Sequence, residues 1–302
     1  MKKDTVNIEK LRLSEKEFEE DKNLAQIEFL MEAKPSENPE VTFVVAQPGA
    51  GKTALSAMSM KEIKESNGKM PVNINADRLA EYHRNYNELL DYIPEDRFRI
   101  TREFVNPTMK DIQNVLIKNK VSMVIECTLN SEKKIKLMEN LKRKGYKVNI
   151  KVLAVDKLES RISCFEREVA LLKLDSKARG IDKECHENSY YNMIKTLMKI
   201  INIQCWDNIE IFKRGKDKGE PETIYKSFEL GDMNIISTIK EERKQQRKQI
   251  IENEDEYMGR INKVTDSIEK YQNNEKLKKY TLRDINDLKV EFLQYTKQGL
   301  QL

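Results

Sequence analysis

The sequence predicts an α/β protein: a mostly parallel sheet of the P-loop NTPase type, helices on both faces, and a helical C-terminal extension. Three observations predict it. Residues 41 to 53 read VTFVVAQPGAGKT, a strand of the doubly buried kind, a glycine-containing break, and a Lys-Thr pair opening a helix. Apolar strand-like runs then alternate with helical segments as far as residue 229. From Asp232 onward strand patterns stop and charged residues ride on a helical repeat.

Charge and length exclude some functions. Among 302 residues, Lys+Arg 55 nearly cancel Asp+Glu 51, and a net charge of +4 argues against a nucleic-acid partner. Asp4, Asn7 and Glu9 stand where a secretion signal needs an apolar run. No apolar stretch reaches membrane-spanning length, so no membrane partner and cytoplasmic residence are expected. Cys127, Cys164, Cys185 and Cys205 form no C-x-x-C, and adjacent Cys185 and His186 suit one zinc ion poorly. Reduced thiols are expected.

Residues 1–40 are expected to form a helical segment packed on the core. Ser14 and Glu17 have capping-box spacing, Leu24, Ile27, Leu30 and Met31 fall on one face, and Pro35 to Pro39 ends the helix. The core, 41–231, opens with the strand Val41–Ala46 and the helix Thr53–Ser66, stopped at Asn67-Gly68. A short strand at Val72–Asn75 is followed by Asp77. Helices are predicted over Leu79–Leu90 and Pro107–Lys118, the second with Asn106 as N-cap and Pro107 at its first position. The strand Val121–Ile125 ends on Glu126; a helix, Ser131–Lys144, and a strand, Tyr146–Val155, follow.

A helix over Lys157–Leu174 carries Arg161 and Arg167, a polar break over Asp175–Ile181 carries Arg179, and Asp182–Ile203 is helical again. The last strands are Asn208–Lys213 and Ile224–Glu229, joined by a charged turn, Arg214–Gly219. In the extension, 232–302, Ile250, Tyr257, Ile261, Val264, Ile268 and Tyr271 keep one helical phase. A second helix beginning at Thr281 aligns Leu282, Ile285, Leu288, Phe292 and Tyr295. This reads as a helical hairpin packed on the body, with a partner-binding coiled coil as the alternative. Arg243-Lys244 and Arg247-Lys248 read as a solvated face.

The chemistry resides in the loop after the first strand. Gln47, Pro48, Gly49, Ala50 and Gly51 would turn backbone N–H groups inward as a nest for phosphate, helped by the helix N-terminus. Lys52 would reach the β- and γ-phosphates of ATP, and the Thr53 hydroxyl would bind Mg²⁺. Ala46 stands where the motif has its first glycine, which alanine tolerates if its φ is negative. Ligands of such sheets bind at the C-terminal strand ends, where Lys52, Asp77 and Glu126 all fall. A phosphotransferase needs a carboxylate for the acceptor hydroxyl and cations for the migrating phosphoryl group. Asp77 and Glu126 fit the first need; Arg167 and Arg179, across a helix end and a lid-like loop, fit the second. Position alone leaves Asp77 readable as a helix cap.

These stretches together resemble the zeta toxin family, P-loop kinases of bacterial toxin–antitoxin systems. The resemblance rests on AQPGAGKT, INADRLAEYH, VIECTLNS, AVDKLESRISCFERE, and Arg179 followed by His186, with Asp77 and His83 keeping the family's D-x-x-x-x-x-H spacing. It implies ATP and Mg²⁺ on Lys52 and Thr53, and Asp77 as general base. It also implies Glu126 and Thr128 against a sugar substrate, with His83 and Asn130 in the same pocket, and phosphates gripped by Arg167 and Arg179. The implied reaction phosphorylates the 3′-hydroxyl of the amino sugar of UDP-N-acetylglucosamine and starves cell-wall synthesis. A small helical antitoxin is the implied partner. The sequence departs at Ala46, at Cys127 for a glycine, at Asn130 for an arginine, and at Arg84 for a proline. Two other functions compete: a P-loop kinase for another small acceptor such as an antibiotic or nucleoside, and a nucleotide-gated binding protein with slow hydrolysis.

Overall fold

A computed structural model describes residues 8–31, 33–215, 219–230 and 234–299. The sheet has six strands: β1 (Glu40–Val45), β2 (Val72–Ile74), β3 (Met123–Cys127), β4 (Lys147–Leu153), β5 (Asn208–Lys213) and β6 (Glu222–Lys226). Their order is β2-β3-β1-β4-β5-β6, parallel except for β6. The α/β architecture with helical extension is as expected. β1 is buried along its whole length because it lies mid-sheet between covering helices. Val41, Phe43 and Val45 face one core, and Val44 and Ala46 face the other, as period two requires. Val45 lies opposite Cys127 and Val152, and Ile74 opposite Ile125, so these strands end at one edge.

The helices of the body are α1 (Glu15–Met31), α2 (Lys52–Asn67), α3 (Ala76–Ala80), α4 (Tyr86–Leu89), α5 (Pro94–Lys118), α6 (Lys133–Arg143), α7 (Lys157–Leu172), α8 (Lys183–Ile203) and α9 (Ser227–Leu230). The capping box of α1 forms: Ser14 N–H donates to Glu17 Oε2 at 2.8 Å and Glu17 N–H donates to Ser14 Oγ at 3.4 Å. Its buried stripe differs from the apolar one. Asp21, Ala25 and Phe29 face inward, while Leu24, Ile27 and Met31 are exposed. Asp21 is drawn inside because it accepts from the N–H and Nε of Arg84, at 2.8 and 3.0 Å.

Other boundaries moved for equally local reasons. The helix expected over Leu79–Leu90 is broken into α3 and α4 by a turn through His83. α5 does not begin at Pro107 but runs through it from Pro94, a proline at a first-turn position. Arg97, Ile100, Phe104 and Thr108 continue one buried stripe, and that burial outweighs the hydrogen bond lost at Pro107. The expected strand Ile224–Glu229 stops at Lys226, where Ser227 turns to accept the Ile209 N–H at 2.9 Å and begins α9. Of the charged turn between β5 and β6, residues 216–218 lie outside the described residues.

The extension holds three helices, α10 (Ile235–Glu252), α11 (Glu254–Tyr271) and α12 (Glu275–Gly299), rather than a two-helix hairpin. α12 begins before Thr281 because the Asn274 side chain accepts the Lys276 and Leu277 N–H groups, at 3.1 and 3.2 Å. Tyr257, Ile261, Val264 and Ile268 of α11 share a core with Ile285, Leu288 and Phe292 of α12. That core also contains Leu158, Ile162, Phe165 and Val169 of α7, so the extension covers the far side of α7. The basic cluster is not a uniformly solvated face. Lys244 and Lys248 are exposed, but Arg243 is buried and Arg247 pairs with buried Asp156 at 2.7 Å.

Truncating Leu288, fully buried in this shared core, should cost about 2–5 kcal/mol. Thermal unfolding of Leu288→Ala is expected to remain one transition at a lower temperature, because α7 and the extension share one core. A separate early transition for the extension would contradict that coupling.

Candidate active site

The loop from Gln47 to Gly51 is shaped by two glycines in the left-handed region, Gly49 at φ +77° and Gly51 at φ +100°. Gly49 also rests on α7: a Cβ there would lie 2.0 Å from the Ser160 carbonyl oxygen and 2.7 Å from Cys164 Sγ. Only glycine fits. Ala46 is not among the described residues with positive φ, so alanine is unstrained where the motif has glycine. Pro48 and Ala50 complete the turn, and Ala50 N–H donates to the Gln47 carbonyl at 3.4 Å. The Gln47 side chain points into the body, donating to the Val155 carbonyl at 2.8 Å and to Ser160 Oγ at 3.1 Å.

Lys52 and Thr53 begin α2 directly after the loop, with Thr53 exposed. Lys52 Nζ donates to the carbonyls of Ala46 and Gln47, at 3.0 and 3.1 Å. Burial pulls the Lys52 ammonium below the ordinary lysine value, and the carboxylates of Glu126 and Asp77 oppose that shift. Three residues proposed from different strand ends thus share one field.

Asp77 lies just past β2, and the helix-cap alternative fails. Asn75 is the cap of α3, its side chain accepting the Asp77 N–H at 2.8 Å. The half-exposed Asp77 carboxylate instead meets Arg179 Nη2 at 2.8 Å. The loop carrying Arg179 is fixed over the strand ends. Arg97 Nη2 donates to the Gly180 carbonyl at 2.8 Å, and Lys177 pairs with Asp91 at 2.6 Å. Arg167 is exposed on α7, one turn past Cys164, which packs against Gly49. Burial pushes the Cys164 thiol up to about 11 and also raises Cys127, so both stay protonated, and all four cysteines are free.

Glu126 is half-buried at the end of β3, and Thr128 and Asn130 follow it in a strained turn. Buried Leu129, between those two, has φ +48°, a conformation a branched side chain adopts only when its surroundings impose it. His83 is placed otherwise than the sugar pocket implies. It is buried, edge-on to Phe104 at 5.8 Å, with Nδ1 accepting from the Asn85 N–H. It closes the turn between α3 and α4. Among the described residues no group of three His, Cys, Asp or Glu side chains could hold a metal ion. No described helix is long and apolar enough to cross a membrane.

This arrangement has counterparts among known proteins. The model of the zeta toxin family matches residues 26–227. The chain belongs to the zeta toxin family. Toxin zeta of Streptococcus pyogenes is 25% identical over 234 residues, 77% of this chain and 78% of that protein. A solved structure from the PezAT chromosomal toxin–antitoxin system of Streptococcus pneumoniae superposes with a TM-score of 0.66 at 21% identity. It covers 83% of this chain and 98% of its own. The AvrRxo1-ORF1:-ORF2 complex with ATP shares the fold at TM-score 0.51 and 15% identity, covering 70% and 66%.

Beyond its zeta toxin motifs the chain adds residues that the motif reading missed. Arg97 is fully buried beneath the Arg179 loop, and burial lowers its pKa without discharging it. Arg214, at the end of β5, donates to the Gly49 carbonyl at 3.2 Å and pairs with Glu159 at 2.9 Å. Glu168 follows Arg167 but is buried, accepting from the Thr281 hydroxyl of α12 at 3.2 Å. A signal for Arg97 was present: it lies in phase with Ile100 and Phe104 on an apolar stripe, where an unneeded charge would be costly.

Burial raises Glu168 from 4.5 to about 7, against the lowering by Thr281 and Arg97. The unfolded chain ionises this carboxyl from 4.5 upward while the native protein keeps the proton. Stability from this group therefore falls as pH rises from 4.5 towards 7. Glu168→Gln, neutral throughout, should flatten that part of the melting-temperature profile. An unchanged slope would show Glu168 already ionised in the native state.

Proposed function

We propose that this chain is an ATP-dependent kinase whose acceptor is a sugar hydroxyl of a UDP-sugar. The 3′-hydroxyl of the amino sugar of UDP-N-acetylglucosamine is the expected site, and loss of cell-wall precursor the consequence. One observation carries the reading: Asp77, held by Arg179 at 2.8 Å just past β2, and Glu126, at the C-terminal end of β3, lie at the same sheet edge as the phosphate-binding loop that follows β1. A phosphoryl donor on the loop and an acceptor beside Asp77 would then be neighbours. The ATP present in the AvrRxo1 complex of the same fold supports the choice of nucleotide.

In this reading Lys52 binds the β- and γ-phosphates, and the loop N–H groups and α2 N-terminus hold the rest. Asp77 takes the proton of the acceptor hydroxyl as its oxygen attacks the γ-phosphorus. The bond from that phosphorus to the β–γ bridging oxygen breaks, and ADP leaves. Arg179, with Arg167, offsets the charge spread over the transferring group. The Thr53 hydroxyl and the nearby carboxylates are hard oxygen donors, as Mg²⁺ takes, and that ion usually completes its shell with phosphate and water. When bound it neutralises phosphate charge. Glu126, Thr128 and Asn130 would hold the sugar, and His83 would support the turn behind Asp77.

The toxin–antitoxin system of the PezAT relative supports a small helical antitoxin as partner, and a cytoplasmic site of action follows from the proposed substrate. Asn130, where the family has an arginine, favours a second reading in which the acceptor is another small molecule.

Labelled ATP incubated with a panel of UDP-sugars, and the products resolved by mass, tests the proposal. A phosphorylated UDP-N-acetylglucosamine is expected; hydrolysis alone, whatever is added, would replace the kinase with a nucleotide-gated binder. Lys52→Ala should abolish transfer in a folded protein. Asp77→Asn keeps shape and polarity but removes the proton acceptor, so turnover should fall about 10²- to 10⁴-fold with ATP affinity nearly unchanged. Turnover of Asp77→Asn close to wild type would leave the reaction without its base.

A further inference from the structure

We infer that the C-terminal helices hold the phosphate-binding loop in its working shape, with Arg243 of α10 as the positioning residue; this rests on the loop being the nucleotide site. Arg243 is buried, and its Nη2 donates to Gln47 Oε1 at 3.3 Å. Its Nη1 donates to the Tyr190 carbonyl at 3.4 Å, and the guanidinium lies 4.0 Å from the Tyr190 ring centroid. The amide of Gln47 is therefore gripped at both ends, its oxygen by the extension and its nitrogen by Val155 and Ser160.

Packing alone gives no reason for an arginine at this position. Ile235, Ile239 and Arg243 are four apart on one buried stripe, where another apolar residue would fill the space without desolvating a charge. Among the described residues no carboxylate forms an ion pair with Arg243, and its Nε has no hydrogen-bond partner. Asp156, whose charge is felt by Arg243, pairs with Arg247 instead. Burial of Arg243 is offset by two partners, the carbonyl and ring of Tyr190 on α8 and the Gln47 side chain of the loop, and only the second ties α10 to the loop.

A second arm reaches the loop from the opposite side of Pro48. Arg260 of α11 pairs with Glu159 Oε2 at 2.6 Å, and Glu159 Oε1 pairs with Arg214 Nη1 at 2.9 Å. Arg214 then donates to the Gly49 carbonyl at 3.2 Å. Gln246 of α10 accepts the Asp156 N–H at 2.9 Å and donates to the Ala154 carbonyl at 2.8 Å, fixing the start of α7 on which Gly49 rests. A loop with two left-handed glycines loses much freedom when its N–H groups converge on phosphate. Anchors made beforehand lower that cost and so tighten binding.

The test is a double-mutant cycle in the full-length chain, reading Mg-ATP affinity by calorimetry and melting temperature alongside. Arg243→Met and Gln47→Ala should each weaken ATP binding about tenfold, the double mutant no more than either, as for directly coupled residues. Arg243→Lys should restore part of the affinity. Leu288→Ala, a purely packing change in the same extension, should lower the melting temperature yet bind ATP like wild type below it. If Arg243→Met does not fold, Gln47→Ala alone reads the contact from the loop side, and ATP affinity within about twofold of wild type would overturn the role there as well. Additive losses, or affinity within about twofold of wild type in Arg243→Met, would overturn the positioning role while leaving the nucleotide site standing. A wild-type chain that binds no ATP would remove the site itself and this role with it.

Discussion

The contact between Gly49 and the first turns of α7 is the constraint on which the rest depends. With a Cβ position 2.0 Å from the Ser160 carbonyl, loop and helix are as close as backbone permits. The loop cannot keep its curvature unless α7 stays in place, and α7 cannot be placed by the sheet alone. Its opposite face carries Leu158, Ile162, Phe165 and Val169, which need cover. α11 and α12 supply it. Those two C-terminal helices thus complete the core of the helix against which the loop rests.

Buried charge follows the same logic. Arg161 of α7 meets Asp284 of α12 at 2.5 Å in a buried pair, and Lys157 meets partly buried Glu291 at 2.5 Å. Such pairs add little net stability over apolar packing but penalise any misaligned arrangement heavily. They hold the extension in register on α7, and through α7 they bear on Glu168, Arg167 and the loop carrying Arg179. His186 shows the local polarity of this region. Burial and the surrounding cations push it down to about 3, so it stays neutral while sharing a hydrogen bond with Ser160 Oγ at 2.9 Å.

The proposed acceptor side is built differently. Glu126 lies at the end of β3, and Asp77 lies in the first turn of α3 just past β2, where it pairs with Arg179. Arg179 arrives from a loop pinned by Arg97 and Lys177. Between them the Thr128–Asn130 turn holds Leu129 at positive φ, the kind of local strain that cores retain where a side chain must be aimed.

By itself the sequence determined whatever local rules control. The strand order of burial, the Gly-containing loop, the Lys-Thr at a helix start, the Ser14–Glu17 box and the acids at two strand ends depend on residues adjacent along the chain. Only the tertiary structure decided what depends on partners far away. Asp21 turned inward for Arg84, sixty-three residues on, and thereby exposed the apolar face of α1. Pro107 stayed inside a helix because a buried stripe ran through it. Asp77 ceased to be a cap because Asn75 already served and Arg179 was within reach. Arg243 left the solvent for Gln47, 196 residues away. Periodicity reports which face of an element is apolar, but a charge can occupy that face when the fold brings its partner there, and no local pattern encodes that meeting.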